Sequence, residues 1–321
     1  MANDVHEPPA GVEARAASAG FGGTAASAAR DRPQGFGKYP TPDEVDRRRW
    51  TGGPRSRSDR RAPGAAAHQP GRPRTTPGGN VPTHSGIPTV TVWSDIGCPW
   101  ASLALHTLNA ATERRQLPLQ IDHRAFPLEL FNREPTPKFI VDPEITTIAA
   151  HRPELGWRLW HGRPEAFPVT MLPAMEAVQA AKDPAIGGLR GSDELDRALR
   201  KAFYADSKCI SIHSVILDLA EDCEHVDAGA LAAALSRGSG RTEVYEQWRI
   251  AQGPEIQGSP HLFAADGYAT HNPGATFTWT RSPYEGGFPR LDAYSTAWAD
   301  ELLDALYADA PDARAVTAAG A

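Results

Sequence analysis

The chain has 321 residues, of which 40% are hydrophobic and 22% are charged, and its formal net charge is −6 at pH 7. The charge is uneven, since the first 86 residues carry a net +5 and the remainder carries −11. A globular part this acidic is a poor candidate for binding nucleic-acid phosphates. No run of 18 apolar residues occurs, so we also expect no membrane span.

Residues 1–86 are rich in Ala, Gly, Pro, Ser and Arg and lack apolar periodicity, which predicts a disordered N-terminal tail. Within this segment Thr41, Pro42 and Glu44 form a helix-start pattern ahead of Trp50. The pattern fits a short helix that docks onto a partner, a transient helix in a tail, or translated sequence upstream of the true start. The first thirty residues lack the basic start and apolar core of a secretory signal.

The chain has three cysteines, Cys98, Cys209 and Cys223. An odd and sparse set suits a reducing cytoplasm better than an exported protein held together by disulfides, so we predict a cytoplasmic location. The eleven histidines have no metal-ligand spacing, and neither a CxxC pair nor an HExxH motif occurs. We therefore predict no bound metal.

A predicted strand leads into a predicted helix at Cys98. Residues 90–93 form an apolar, β-branched run, and Pro99 fits the first position of a helix. Beyond it, apolar residues recur at three- and four-residue spacing, as a helix face requires: Trp100, Leu103, Ala104, Leu108 and Ala111. The free N–H groups and dipole of a helix start favour a thiolate and can lower a thiol pKa to roughly 3.5–7.5. We therefore predict that Cys98 is a nucleophile.

The rest of the chain alternates between strand and helix patterns. Residues 119–126 alternate apolar and polar side chains, which predicts a second strand parallel to the first. Helical periodicity then continues over residues 128–253, with predicted helix starts at Ser192, Ser211 and Asp227. Residues 261–264 and 268–271 predict a hairpin, and residues 275–289 fit no element. Apolar spacing from Leu291 and Tyr294 onward predicts a closing helix.

Two short motifs resemble the signatures of one family. Residues 94–100, Ser-Asp-Ile-Gly-Cys-Pro-Trp between a strand and a helix, resemble the active site of the DsbA family of thioredoxin-fold proteins, particularly its FrnE-like branch. Residues 258–260, Gly-Ser-Pro before a strand, resemble the second signature, whose proline is cis and faces the cysteine. The resemblance implies an α/β thioredoxin-like domain in two halves, residues 87–127 and 254–310, interrupted by an all-helical insertion at 128–253. Residues 311–321 would form a disordered C-terminal tail.

One departure from the family pattern concerns the second active-site cysteine. The family motif is Cys-Pro-Trp-Cys, and this chain has Ala101 at the last position. Cys98 would therefore act as a single thiol, with an external thiol resolving any mixed disulfide. Fourteen residues of helix would hold Cys209 and Cys223 roughly 21 Å apart, beyond disulfide reach. Both are more simply structural thiols, although either could approach Cys98 from the helical insertion.

The resemblance implies a thiol-disulfide oxidoreductase that acts through Cys98 on a disulfide or a low-molecular-weight thiol. The substrate would be a small molecule or a protein, and the substrate-binding residues would be Pro99, Trp100, Ser259 and Pro260. The chain would hold no cofactor, with glutathione or another low-molecular-weight thiol as co-substrate. Trp100 fits a core position and a cleft rim equally well, and a homodimer stays open.

Two other functions remain open. The first is a thiol-dependent isomerase or transferase that resembles 2-hydroxychromene-2-carboxylate isomerase and kappa-class glutathione transferase. Those relatives carry Ser at the nucleophile position and bind glutathione without a resolving thiol. The second is a non-catalytic binding protein with the thioredoxin fold.

Overall fold

A computed structural model describes residues 86–264 and 267–308. The predicted N-terminal tail, the helix-start pattern at 41–50 and the predicted C-terminal tail at 311–321 lie outside these residues. So do two residues of the predicted hairpin turn, 265 and 266.

A four-stranded mixed sheet lies at the centre of the described chain. Its strands are β1 (Thr89–Ser94), β2 (Gln120–Ala125), β3 (His261–Phe263) and β4 (Ala269–His271), in the order β2-β1-β3-β4. Strands β1 and β2 are parallel, and the other two pairs are antiparallel. The predicted parallel crossover and the predicted hairpin are therefore both confirmed.

Helix α1 (Pro99–Arg115) connects the two parallel strands. It starts with Pro99 and ends at Gln116, whose left-handed backbone closes the helix two residues before Pro118. Together with the last helix, α9 (Ala297–Tyr307), it covers one face of the sheet. The apolar cluster between them includes Val90, Val92, Leu105, Leu108, Ile121, Leu262, Leu302 and Leu303.

Seven helices lie between β2 and β3 along the described chain and bury the second, larger cluster. They are α2 (Leu128–Asn132), α3 (Lys138–His151), α4 (Leu172–Ala180), α5 (Gly188–Tyr204), α6 (His213–Glu221), α7 (Ala228–Ser236) and α8 (Arg241–Ala251). Helices α4, α5 and α8 pack against β2, so this group covers the opposite side of the sheet from α1. The limits of the insertion at 128 and 253 stay predictions.

Only one of the three predicted helix caps is correct. Asp227 caps α7, where its Oδ1 accepts a hydrogen bond from the Ala230 N–H at 2.8 Å. Ser192 lies inside α5, and its hydroxyl donates to the Val178 carbonyl at 2.9 Å. Ser211 precedes α6, but its hydroxyl donates to the Thr170 carbonyl at 2.6 Å. Both serines bond to a neighbouring segment, which spacing within one helix does not reveal.

The unassigned segment forms a second sheet. Strand β5 (Ala275–Trp279) pairs with β6 (Pro289–Tyr294) in antiparallel register, with an irregularity between Thr276 and Phe277. The predicted start of the closing helix at Leu291 and Tyr294 is therefore wrong, since both residues belong to β6. The register irregularity skips Asp292, so Leu291 and Tyr294 lie three residues apart, a spacing that also fits a helix face.

None of the helices in residues 86–264 and 267–308 is both long and apolar enough to span a membrane.

Candidate active site around Cys98

Cys98 occupies the position just before α1, and its side chain faces the segment that precedes β3. The thiol donates a hydrogen bond to the backbone carbonyl of Ser259, with 3.4 Å between sulfur and oxygen. The peptide bond between Ser259 and Pro260 is cis. Two segments separated by 161 residues thus meet at one sulfur atom.

Asp95 holds the loop that leads to Cys98. Its side chain is fully buried and accepts hydrogen bonds from the N–H groups of Gly97 and Leu128, both at 2.7 Å. Its own N–H donates to the Ser259 hydroxyl at 2.9 Å, which ties the loop to the proline segment. Burial raises the pKa of Asp95 to about 6, although the two backbone hydrogen bonds favour the carboxylate.

Arg200 on α5 donates hydrogen bonds to the same loop and to its flanking residues. Its guanidinium donates to the Asp95 carbonyl at 3.1 Å and to the hydroxyls of Ser102 and Ser94 at 2.8 and 2.9 Å. Asp196, one turn earlier on α5, pairs with it at 2.6 Å, and both side chains are buried. The Asp196–Arg200 ion pair therefore anchors the end of β1, the Cys98 loop and the first turn of α1 to α5.

Sequence reasoning did not select Arg200, although a signal for it is present. Asp196 and Arg200 are oppositely charged at i and i+4, and each follows directly after an apolar stripe residue, Leu195 or Leu199. Such a pair on a buried face is more unusual than one on the solvent face. Tyr204 completes the same surface, where its hydroxyl donates to the Ile96 carbonyl at 3.0 Å.

The predicted lowering of the Cys98 pKa is wrong. The side chain is only 6% exposed, and burial raises the pKa of the thiol to about 12. The negative charge of Glu144 acts in the same direction, while the Ser259 side chain and the Ala101 backbone oppose it. The resting side chain is therefore a neutral thiol.

Trp100 lies in the core. Its ring is 5% exposed and stacks on Phe277 of β5 with 4.0 Å between ring centroids. Its indole N–H donates to Glu144 Oε1 on α3 at 2.9 Å. Pro99 is also buried. The predicted substrate-binding roles of Pro99 and Trp100 stay predictions.

Position 101 lacks a thiol, and the other cysteines are unbonded. Ala101 is fully buried in the first turn of α1. Cys98, Cys209 and Cys223 are all free. The Cys223 thiol donates to the Leu219 carbonyl at 3.3 Å, and burial raises its pKa to about 11.

Two histidines adjoin the proline segment. His261 follows Pro260 and is buried, and its Nδ1 accepts the Gln257 N–H at 3.1 Å. His271 on β4 lies 5.8 Å from it between ring centroids. Burial lowers the pKa of each ring to about 4. A β-carbon on Gly258 would lie only 2.7 Å from His271 Nε2, so a larger residue there would displace the ring.

Within the described ranges, no group of three or more His, Cys, Asp or Glu side chains could hold a metal ion.

The family follows from a match between residues 89–278 and the family model for the DSBA-like thioredoxin domain. The chain belongs to this family. Its members are thiol-disulfide oxidoreductases, and the match confirms the predicted thioredoxin-like fold class. The matched residues include both the Cys98 loop and the Ser259–Pro260 bond.

Solved structures share the fold at low sequence identity. The cytosolic disulfide reductase DsbM from Pseudomonas aeruginosa is 18% identical, with a TM-score of 0.47 over 68% of this chain and 95% of its own. A probable DsbA oxidoreductase from Streptomyces coelicolor is 16% identical, with a TM-score of 0.48 over 70% and 92%. A 2-hydroxychromene-2-carboxylate isomerase is 14% identical, with a TM-score of 0.38 over 56% and 87%. No curated protein matches the chain.

Proposed function

We propose that this member of the DSBA-like family catalyses thiol–disulfide exchange through Cys98 alone, as an FrnE-like monothiol enzyme. The observation that carries the proposal is the contact between the Cys98 sulfur and the Ser259 carbonyl at 3.4 Å. A substrate thiol or disulfide that replaces this contact meets the sulfur and the backbone of Ser259 together. Cys98 is the catalytic residue, and Ser259 and Pro260 form the substrate-binding edge.

The reaction needs two exchange steps. In the first, the Cys98 sulfur attacks a disulfide R–S–S–R′, forms Cys98–S–S–R, and releases R′–S⁻, which takes up the proton that Cys98 lost. In the second, an external thiol R″–SH attacks the R sulfur of the mixed disulfide, leaves as the disulfide R″–S–S–R, and its proton returns to Cys98. Ala101 offers no sulfur for this step, so the second thiol comes from solution. Glutathione or another low-molecular-weight thiol fits this role, in a reducing cytoplasm that supplies it.

Neighbouring groups assist these steps by holding the loop in place. Pro99 and Trp100 shape the start of α1 beside the substrate, and Arg200 holds the loop before it through the Asp95 carbonyl. At pH 7 a thiol with a pKa of about 12 is ionised in roughly one molecule in 10⁵, so the free enzyme reacts slowly.

Mass spectrometry of the full chain after incubation with oxidised glutathione tests this proposal. We expect one glutathione adduct, located on Cys98 and absent from Cys98→Ser. Cys223→Ser removes a second buried thiol and is the matched control, which should retain the adduct. Absence of any adduct on Cys98, or an adduct on Cys223 in its place, would contradict the proposal.

A second candidate is a glutathione-dependent isomerase or transferase. The raised pKa of Cys98 favours it, because a protonated thiol can donate a hydrogen bond to the thiolate of bound glutathione as a serine hydroxyl would. This candidate predicts that Cys98→Ser keeps its affinity for glutathione and its turnover. The exchange mechanism predicts that the same variant loses turnover.

A further inference from the structure

Besides Asp95, a second carboxyl group is buried near Cys98. It lies on helix α3, which the exchange mechanism does not use. Glu144 on α3 is 2% exposed, and its Oε1 accepts the hydrogen bond from the Trp100 indole. Its Oε2 is buried and has no hydrogen-bond partner in the part of the chain that the structure describes. A carboxylate with an unpaired buried oxygen is costly, whereas a carboxylic acid carries no charge there.

Among residues 86–264 and 267–308, no cation pairs with the Glu144 carboxyl group. Its pKa is raised to about 8 by burial, and the Trp100 hydrogen bond is the one influence that lowers it. Helix α3 packs against α1, β6 and two short turns, and the titratable groups of these elements have no resolved effect on that pKa. They include Lys138, Asp142 and His151 on α3, Arg152 after it, His106 on α1, Glu154 and Glu285 in the turns, and Arg290, Asp292 and Tyr294 on β6.

The charges that act on Cys98 are few. The carboxyl groups of Glu144 and Asp95 oppose its ionisation, and Glu144 has the larger effect of the two. Arg200 and Tyr204 face it from α5, and Arg200 already forms an ion pair with Asp196. Trp100 connects Cys98 to Glu144, because it follows Cys98 by two residues and its indole N–H donates to the Glu144 side chain.

We propose that Glu144 is a positioning residue that controls the ionisation of Cys98, so that these two buried acids, Glu144 and Cys98, carry at most one negative charge between them. The proposal deepens the monothiol mechanism and rests on it. When Glu144 holds its proton, Cys98 can lose its own and react. When Glu144 is ionised, a second negative charge beside it is opposed, and the thiol stays protonated.

This coupling gives a distinctive dependence on pH. While Glu144 is protonated, the thiolate fraction rises about tenfold for each pH unit. Above the pKa of Glu144, near 8, each further rise in pH removes the Glu144 proton instead, and the thiolate fraction levels off. Without an ionisable group at position 144 the rise continues.

The test is the rate of Cys98 alkylation by iodoacetamide between pH 6 and pH 10, followed by mass spectrometry. We expect the wild-type rate to flatten above about pH 8. Glu144→Gln, which can still accept the Trp100 hydrogen bond, should keep rising and be about tenfold faster than wild type at pH 9.5. At pH 7 the two rates should agree within about twofold. Coincident profiles over the whole range would overturn the proposal.

Two further variants protect the test against an indirect effect. Glu176→Gln changes an equally buried carboxylate on α4 that pairs with Arg241 and has no resolved effect on Cys98, so its profile should match wild type. Glu144→Met removes the charge and introduces no amide. If Glu144→Gln fails to fold, Glu144→Met should show the continued rise in alkylation rate in its place. Alkylation needs no disulfide substrate. If the Glu144 variants lose the plateau in alkylation rate while wild type shows no turnover with glutathione, the exchange mechanism is disproved and the role of Glu144 still holds.

Discussion

Cys98 shows how two physical effects compete at one atom. A helix N-terminus stabilises an anion by about 0.3–1 kcal/mol, and up to about 2 kcal/mol when partly buried. The rise in the Cys98 pKa from 9.0 to about 12 corresponds to roughly 4 kcal/mol against the thiolate. Pro99 also removes one of the N–H groups that would face the sulfur. Sequence position correctly locates the cysteine, but burial decides its charge.

Arg200 is the residue on which the loop geometry depends most. Replacing it by Met leaves Asp196 buried without its cation and frees the Asp95 carbonyl. We expect Arg200→Met to lower the free energy of unfolding by about 3–5 kcal/mol, measured by urea denaturation. Arg197→Ala removes an exposed ion pair with Asp193 on the same helix and should cost no more than about 1 kcal/mol. Equal costs for the two variants would contradict this role.

A substitution at Ala101 tests whether the site lacks only the second sulfur atom of the family motif. Ala101→Cys restores a thiol three residues after Cys98, and we expect the oxidised variant to form one disulfide and show no accumulated glutathione adduct on Cys98. Ala104→Cys places the new thiol a turn further along α1 and serves as the control, which should still accumulate the adduct. Free thiols in oxidised Ala101→Cys, counted by a thiol reagent, would be the contrary result.

At the scale of elements, features that depend on local sequence patterns could be predicted, and features that depend on long-range contacts could not. The β1–α1–β2 unit and the β3–β4 hairpin follow from apolar periodicity and from Pro99, so their order could be predicted. The β5–β6 pair was missed, because Gly286 and Gly287 lie in the connection and the skipped residue Asp292 breaks the alternation of β6. The links from Arg200 and Glu144 to the Cys98 loop were also missed, since each joins segments about 45 to 105 residues apart.

Gly274 lies where β4 leads into β5 and is needed for two reasons. Its backbone φ is +77°, and a β-carbon would collide with the Ser295 carbonyl and the Trp298 ring. Gly286 has a φ of +72° but open space around it. We expect Gly286→Ala to cost about 1–2 kcal/mol from backbone strain alone, and Gly274→Ala to cost clearly more. Thermal unfolding of both variants measures this difference in cost. Similar melting temperatures would contradict the expected collision with the Ser295 carbonyl.

For the whole molecule, buried groups should make stability depend on pH. The pKa values of His261 and His271 are lowered to about 4, so the unfolded chain binds protons before the folded one does. Their contribution to stability is therefore lost as pH falls from about 6.5 to about 4. The pKa values of Asp95 and Glu144 are raised from 3.8 and 4.5 to about 6 and 8, so their contribution to stability is lost as pH rises over those ranges. Below pH 6.5 it opposes the contribution of the two histidines.

The acid limb can be assigned to the two histidines by the slope of unfolding free energy against pH. We expect the double variant His261→Asn, His271→Asn to gain stability relative to wild type as pH falls from 6.5 to 4, because the contribution of Asp95 and Glu144 is then unopposed. His161→Asn changes an exposed histidine and should leave the slope as in wild type. An unchanged slope in the double variant would assign the acid sensitivity to other groups.

The central claim is that one sulfur of this chain suffices for the reaction. Its most direct measurement is the steady-state reduction of a glutathionylated peptide by glutathione, with the full chain carrying Cys209→Ser and Cys223→Ser together. The account predicts turnover within about twofold of wild type for this variant, and none above background for Cys98→Ser. Loss of turnover in the double variant, with its fold intact by circular dichroism, would mean that a second cysteine takes part.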